Sequence, residues 1–282
     1  MPLVPTQRLI GRARARGAAV GAFNVITLEH AEGIVAGAER AGAGVILQIS
    51  ENAVKFHGGR LAPIAAAAVA VAEQAAAPVS LHLDHVQSPA LLHQAAEARM
   101  SSVMFDAAHL DYDGNVAATR AAADWAHDRG IHLEAELGEV GGKDGAHAPG
   151  VRTDPDQAAA FVAATGVDSL AVAVGSSHAM TARTARLDHD LIARLRDAVP
   201  VPLVLHGSSG VADDELKAAV TAGIVKVNIG TILNVAFTGA VRTVLSDPAV
   251  VDPRKYLAPA RDRLAAMVER MLAVLDSGGG PA

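Results

Sequence analysis

A chain of 282 residues, 51% of them hydrophobic, has ample apolar material for a large core, and its length suits one or two domains. A net charge of −6, with both signs scattered, excludes the basic footprint of a nucleic-acid binder. With no cysteine there is no disulfide framework and no thiolate metal site, so only histidine and carboxylate remain to hold a transition metal.

The N-terminal "MPLVPTQRLIGRARARG" carries arginines but no apolar core and cleavage site after them, so it does not read as a signal peptide. The alanine-rich run 61–72 is too short to span a bilayer, and a cytoplasmic protein with no membrane or nucleic-acid partner is the expectation. From there β-rich runs alternate with helical patterns. The strands are "AVGAFNV", "GVILQIS", "PVSLHLD", "SSVMFD", "IHLEAEL", "DSLAVAV", "VPLVLHG" and "IVKVNIG". Helical segments fall at 28–41, 61–76, 88–98, 116–129, 155–164, 189–198, 212–222 and 231–245. Such alternation predicts βαβ units around a parallel sheet, and this many units in one chain is the size of an α/β (β/α)8 TIM barrel. A doubly wound open sheet is the runner-up, although the first βα turn, "NVITLE", has no GxGxxG. No linker divides residues 1–282, which are predicted to form one barrel domain with a C-terminal helical extension at about 252–277.

Polar residues end nearly every strand: Asn24, Ser50, Asp84 with His85, Asp106, Glu136, His206 and Asn228, while "GSSH" after the sixth ends in His178. Strand ends are polar wherever they emerge into solvent. That alone explains poorly why the types are mostly His, Asp and Glu. In a barrel all these ends meet at one mouth, where active sites are built.

Of the histidines, His30, His93, His127 and His189 fall on helical segments, His57, His109 and His147 in loops, and His132 at a strand start. His85, His178 and His206 each follow or end a strand beside a small-residue turn, and together would make a three-ligand site with open coordination positions. A carboxylate at Asp84 can serve such a site as ligand, orienter or general acid–base. His82, on the same strand face, is placed to orient Asp84, or else is a satisfied core histidine. Lys226 inside "IVKVN" is expected to cap a strand or to lie between barrel and helices.

The ordered motifs "HLDH", "SSVMFDAAHL", "EAELGEVGG", "DSLAVAVGSSH", "LVLHGSSG" and "VKVNIGT" make the chain resemble the class II, zinc-dependent fructose- and tagatose-bisphosphate aldolases, from "GAFNV" to "DPRKYLAPAR". The resemblance implies a metal-dependent lyase that cleaves a ketose 1,6-bisphosphate to dihydroxyacetone phosphate and an aldehyde. It makes His85, His178 and His206 the ligands of one zinc ion, Asp84 the acid–base at the C4 hydroxyl, and Asp106 and Glu136 carboxylates that hold the metal in an alternative inner position. It assigns Gly207, Ser209, Asn228 and Thr231 to the dihydroxyacetone-phosphate end, and Asn24 and Ser50 to the sugar hydroxyls and phosphate region.

Five positions depart from the family pattern. Ala179 replaces the glycine that contributes to phosphate and monovalent-cation binding, and Thr181 and Ala182 replace a tyrosine–lysine pair, leaving Arg183 to supply positive charge. Asp144, in the glycine-rich loop 138–152 that is expected to be mobile, stands where a glutamate usually exchanges the carbanion proton. Gly230 stands where fructose-specific members carry Asp and tagatose-specific ones Ala, and is expected to leave room that relaxes the choice between epimers. These departures keep two alternatives open: the same chemistry on another phosphorylated ketose, or a catalytically weakened metal-binding barrel. The apolar periodicity Leu264, Met267, Val268, Met271 and Leu275 either closes the barrel's own base or, as the resemblance implies, helps form a homodimer or higher homo-oligomer in which Arg254, Lys255 and Arg261 lie near the boundary.

Overall fold

Eight parallel strands close on themselves in chain order: β1 (Val20–Asn24), β2 (Val45–Ser50), β3 (Val79–Val86), β4 (Ser102–Phe105), β5 (His132–Leu137), β6 (Ser169–Val172), β7 (Leu203–Leu205) and β8 (Ile224–Ile229), with β8 pairing back to β1. The computed structural model describes residues 2–137, 151–178 and 180–276. The closed sheet leaves no edge strand, and the (β/α)8 barrel expected from the alternation is the fold.

Around the strands run α2 (Leu28–Ala41), α4 (Leu61–Gln74), α6 (Tyr112–His127), α7 (Pro155–Thr165), α8 (His189–Ala198), α9 (Asp213–Ala222), α10 (Thr231–Val244) and α11 (Pro253–Asp276). Outward residues such as Leu47, Ile49, Leu81 and Leu83 are buried against helical residues such as Ile34, Ala68 and Leu264 in one continuous core. Helix ends follow local chemistry. Asp154 accepts from the backbone N–H groups of Asp156 and Gln157 at 3.0 and 2.9 Å, Pro155 opens α7, and Gly166 ends it in the left-handed conformation.

Two short helices lie outside the predicted segments, α1 (Thr6–Ala15) and α3 (Glu51–Phe56), the latter capped by Ser50 through the Ala53 N–H at 3.2 Å. The predicted helix 88–98 is mostly absent: α5 (Pro89–Leu92) gives way to turns. There Gln94 and Ala95 donate to carbonyls only three residues back, and Arg99 turns left-handed at φ 61°. Leu91, Leu92, Ala95 and Met100 are nevertheless buried, so the apolar spacing is met by tight turns instead of a regular helix.

The barrel's interior mixes apolar side chains, such as Met104, Ala171 and Val204, with buried polar ones. At the amino end Val4, Leu9 and Ile10 of the N-terminal segment and α1 pack on Val20, Ala22, Ile46 and Val225 and plug it. Val4 and Val79 secure that plug, since Val4 N–H donates to Val79 O and Val79 N–H to Pro2 O, both at 2.8 Å. The apolar face of α11, with Leu264, Val268, Met271 and Leu275 fully buried, is spent against α2 and α10 on the barrel's outside. These four residues are therefore covered within the chain, and the last turn of α11 reaches the amino end of the barrel, where Leu275 O accepts from Ala19 N–H at 3.2 Å and Asp276 pairs with Arg16 at 2.7 Å. Among the described residues no helix is long and apolar enough to cross a membrane.

Candidate active site at the carboxyl mouth of the barrel

On a regular strand Asp84 and His85 would point to opposite faces. The pairing of β3 with β4 shifts register between Leu83 and Val86, and His85 takes a left-handed backbone at φ 51°. The irregularity turns both side chains into the same cavity. A non-glycine residue held this way costs on the order of 1–3 kcal/mol, a strain typical of sites where direction matters more than stability.

His85, His178 and His206, from three separate strand ends, each offer one ring nitrogen, and these donor atoms lie within 4.8 Å of one another. His206 Nδ1 is 3.0 Å from His85 Nε2. Each of these two rings is oriented through its other nitrogen: His85 Nδ1 lies 3.0 Å from Asp106 Oδ2, and His206 Nε2 lies 3.0 Å from Glu134 Oε1. A carboxylate behind a ligating imidazole fixes its tautomer and raises its basicity. Burial lowers the His206 pKa to about 4, which leaves the ring neutral at pH 7 as a metal ligand must be. The donor set therefore fits a divalent ion of borderline softness such as zinc. Among the described residues only the three histidines form this cluster; Asp106 and Glu136 are buried but not part of it, and Asp106 acts on His85.

Glu134 escaped the sequence reading, although its alternation with Glu136 in "HLEAEL" puts both on one strand face. Beneath it Lys226 Nζ pairs with Glu134 Oε2 at 2.7 Å, and both side chains are essentially without exposure. This corrects the expected placement of Lys226. β5 and β8 are not neighbours, so the pair spans the interior of the barrel instead of lying between barrel and helices. Burial disfavours the charged form of Glu134, but the Lys226 ammonium, the hydrogen bond with His206 and the nearby His82 together outweigh it and hold the carboxyl well below the usual range. A lysine so committed is unavailable as a Schiff-base nucleophile.

Asp84 sits at the floor of a cavity of about 220 Å³. Gln48 Nε2 donates to Asp84 Oδ2 at 3.1 Å and to Asn24 Oδ1 at 2.7 Å, and Asn228 Nδ2 approaches Asp84 Oδ1 at 3.4 Å. Burial works against its charge, yet His85, His82 and His206 hold the carboxyl well below the ordinary carboxylate range. Buried Gln48 Oε1 and Asn228 Oδ1 line the same cavity without a hydrogen-bond partner. An unmet buried acceptor costs about 1–3 kcal/mol, so a ligand bringing hydroxyl donors recovers that energy.

Opposite, Gly207 is left-handed at φ 66°, and a Cβ there would lie 2.6 Å from the Ser177 backbone, so only glycine lets the two loops cross. Ser209 Oγ accepts from Ile232 N–H at 3.1 Å, and Gly230 and Thr231 line the cavity where α10 begins. A helix N-terminus with adjacent hydroxyls is a natural anion cradle.

Ten of the predicted site residues line this one cavity: Asn24, Ser50, Asp84, His85, His178, Gly207, Ser209, Asn228, Gly230 and Thr231. His206 joins from just beneath, fully buried. Arg183 does not line it: its Nε donates to Val211 O at 2.8 Å and its Nη2 pairs with Asp213 at 2.6 Å. Nor does Gly230 leave room, because a Cβ there would meet Asn24 Nδ2 at 2.6 Å; the Asn24 carboxamide already fills that space. Asp144, with most of its loop, and Ala179 lie outside the described residues.

The family profile "Fructose-bisphosphate aldolase class-II" matches residues 4–280. The fructose-bisphosphate aldolase of Thermus caldophilus is 37% identical, aligned over 98% of this chain and 99% of that protein. That of Geobacillus stearothermophilus is also 37% identical, over 99% of each chain. Among solved structures, the YdjI aldolase of Escherichia coli K12 superimposes with a TM-score of 0.85 at 34% identity, covering 97% of both chains.

Proposed function

Because the chain belongs to the class II fructose-bisphosphate aldolase family, we propose that the mouth of its barrel cleaves a ketose 1,6-bisphosphate reversibly into dihydroxyacetone phosphate and an aldehyde, with a zinc ion on His85, His178 and His206. The observation that carries this reading is the convergence of three imidazole donors and the buried carboxylate of Asp84 on one cavity.

A divalent ion held by these histidines supplies Lewis-acid stabilisation for the negative charge a ketose develops as its C3–C4 bond breaks. The side chains do the rest. Asp84 takes the C4 hydroxyl proton as the C4 carbonyl forms, while the electrons of the C3–C4 bond pass to the ketose half. Gln48 and Asn228 aim the Asp84 carboxylate, and their own unpartnered oxygens accept substrate hydroxyls. Ser209, Gly230, Thr231 and the N–H groups opening α10 receive a phosphate. Return of a proton to C3 is assigned to Asp144 on its motif position.

Metal analysis of the purified protein is expected to find about one divalent ion per chain, and exhaustive chelation to abolish aldol cleavage measured by coupled dihydroxyacetone-phosphate reduction. His206→Ala should lose metal and activity together with the barrel still folded by circular dichroism. Full activity after chelation would rule the metal-dependent reading out.

Substrate choice turns on the strand end at Gly230. No charged side chain stands there, and the Asn24 carboxamide that fills the space can donate or accept. A group that serves either configuration discriminates weakly. Fructose and tagatose 1,6-bisphosphates are therefore expected to give comparable kcat/KM values. A preference above ~100-fold for fructose, about 2.7 kcal/mol, would mean that another residue reads C4.

A further inference from the structure

We propose that Thr6, on the helix that plugs the amino end of the barrel, is a positioning residue for Asp84 at the opposite mouth, acting through Ser102 and His82. The inference rests on the acid–base role of Asp84 argued above. A row of short polar contacts runs up the interior. Ser101 Oγ is 2.8 Å from Thr6 Oγ1, Thr6 Oγ1 is 2.7 Å from Ser102 Oγ, and Ser102 Oγ is 2.7 Å from His82 Nδ1. At its upper end His82 Nε2 faces Asp84 Oδ1 at 3.7 Å and has no hydrogen-bond partner of its own, although His82 is only 1% exposed. Register places these groups side by side, with His82 opposite Ser102 in the β3–β4 pairing and Thr6 rising from α1 below.

Proton bookkeeping gives the row a direction. Each hydroxyl has one proton to donate. Ser101 Oγ accepts from Thr6 N–H at 3.2 Å and can give its one proton either to Leu81 O at 3.2 Å or to Thr6 Oγ1 at 2.8 Å. In one order Ser101 donates to Thr6 over the shorter contact, Thr6 to Ser102, and Ser102 to His82 Nδ1. A neutral His82 then carries its proton on Nε2 and presents an N–H to the Asp84 carboxylate. In the reverse order His82 donates from Nδ1, the row ends with Ser101 donating to Leu81 O, and His82 turns a bare lone pair on that carboxylate, which is repulsive. The ionised Asp84 selects the first order, and Thr6 supplies the donor that completes it. Without Thr6 the Ser102 hydroxyl loses its donor, the His82 ring loses a fixed anchor, and Asp84 Oδ1 is left with Asn228 at 3.4 Å as its remaining short partner.

The test is Thr6→Val in the metal-loaded enzyme, with Thr6→Ser as the conservative rescue and Ser102→Ala as an independent break in the same row. Thr6→Val should lower kcat about tenfold, the scale of a small misplacement of a catalytic group. KM and metal content should stay within about twofold, and Thr6→Ser should restore most of kcat. Because the two side chains act in series, the Thr6→Val/Ser102→Ala double variant should be no worse than the poorer single variant. The ¹⁵N shifts of the His82 ring should report the Nε2–H form in the parent and a mixed tautomer in both single variants; Ser102→Ala carries the test should Thr6→Val not fold. A kcat within about twofold of the parent, or losses that multiply in the double variant, would overturn the proposal. Impaired cleavage by Asp84→Asn alongside an intact Thr6→Val sinks this inference alone. Unimpaired cleavage by Asp84→Asn sinks the acid–base reading and the inference with it.

Discussion

Asp84→Asn is expected to lower kcat for aldol cleavage by roughly 100- to 10,000-fold, the usual contribution of a general acid–base group. The amide matches the carboxylate in size, so the cavity keeps its shape, but it cannot take up the C4 hydroxyl proton. Its surroundings sharpen the expectation. Gln48 Nε2 and Asn228 Nδ2 both present N–H groups to Asp84, so an amide must turn its own NH2 toward one of them. Some loss of stability, on the order of 1–3 kcal/mol for an ill-matched buried donor, should accompany the loss of rate. The three histidines remain, so metal content should be retained. Metal loss as complete as that of His85→Ala would recast Asp84 as support for the metal site.

The second large effect is predicted at a buried pair beneath His206 that lines no part of the cavity. Lys226→Met leaves the Glu134 carboxylate buried with no counter-charge, and breaking a buried pair from one side typically costs about 3–5 kcal/mol. Urea unfolding at pH 7 should register that loss as a lower midpoint. Replacing both partners, Lys226→Met with Glu134→Leu, should regain much of the stability, because an apolar pair carries no unpaired charge. It should still bind metal roughly 10- to 100-fold more weakly, since His206 Nε2 has lost its acceptor. The sign with pH follows from the depressed pKa of Glu134. Its contribution is fully present above the ordinary glutamate value of about 4.3 and erodes as pH falls toward the folded-state value. A single variant within about 1 kcal/mol of the parent would show that water or another cation already serves Glu134.

The barrel was readable in the chain because its strands obey a local rule. Apolar residues such as Leu81 and Leu83 face the helices while their neighbours face inward, and each run stops at a turn. Where local signals were short or mixed, reading failed: α3 depends on one Ser50 cap, and the apolar spacing of 88–98 is satisfied by turns. The three histidines were readable as well, since closing a parallel sheet carries every strand's carboxyl end to one mouth.

Pairings across the barrel left no such trace. Glu134 and Lys226 are 92 residues apart, and nothing near either forecasts a contact that exists only once β5 and β8 face each other inside a closed sheet. The Asn24 carboxamide against Gly230, and Gln48 between Asn24 and Asp84, arise the same way, from strands brought together by closure. Local periodicity and strand-end chemistry determine the fold and the residue types at the mouth, because they act over a few residues. Which charge neutralises which, and which side chain fills a given space, is decided by distances that the folded barrel alone sets. In a low-dielectric interior those distances govern the cost of every buried charge.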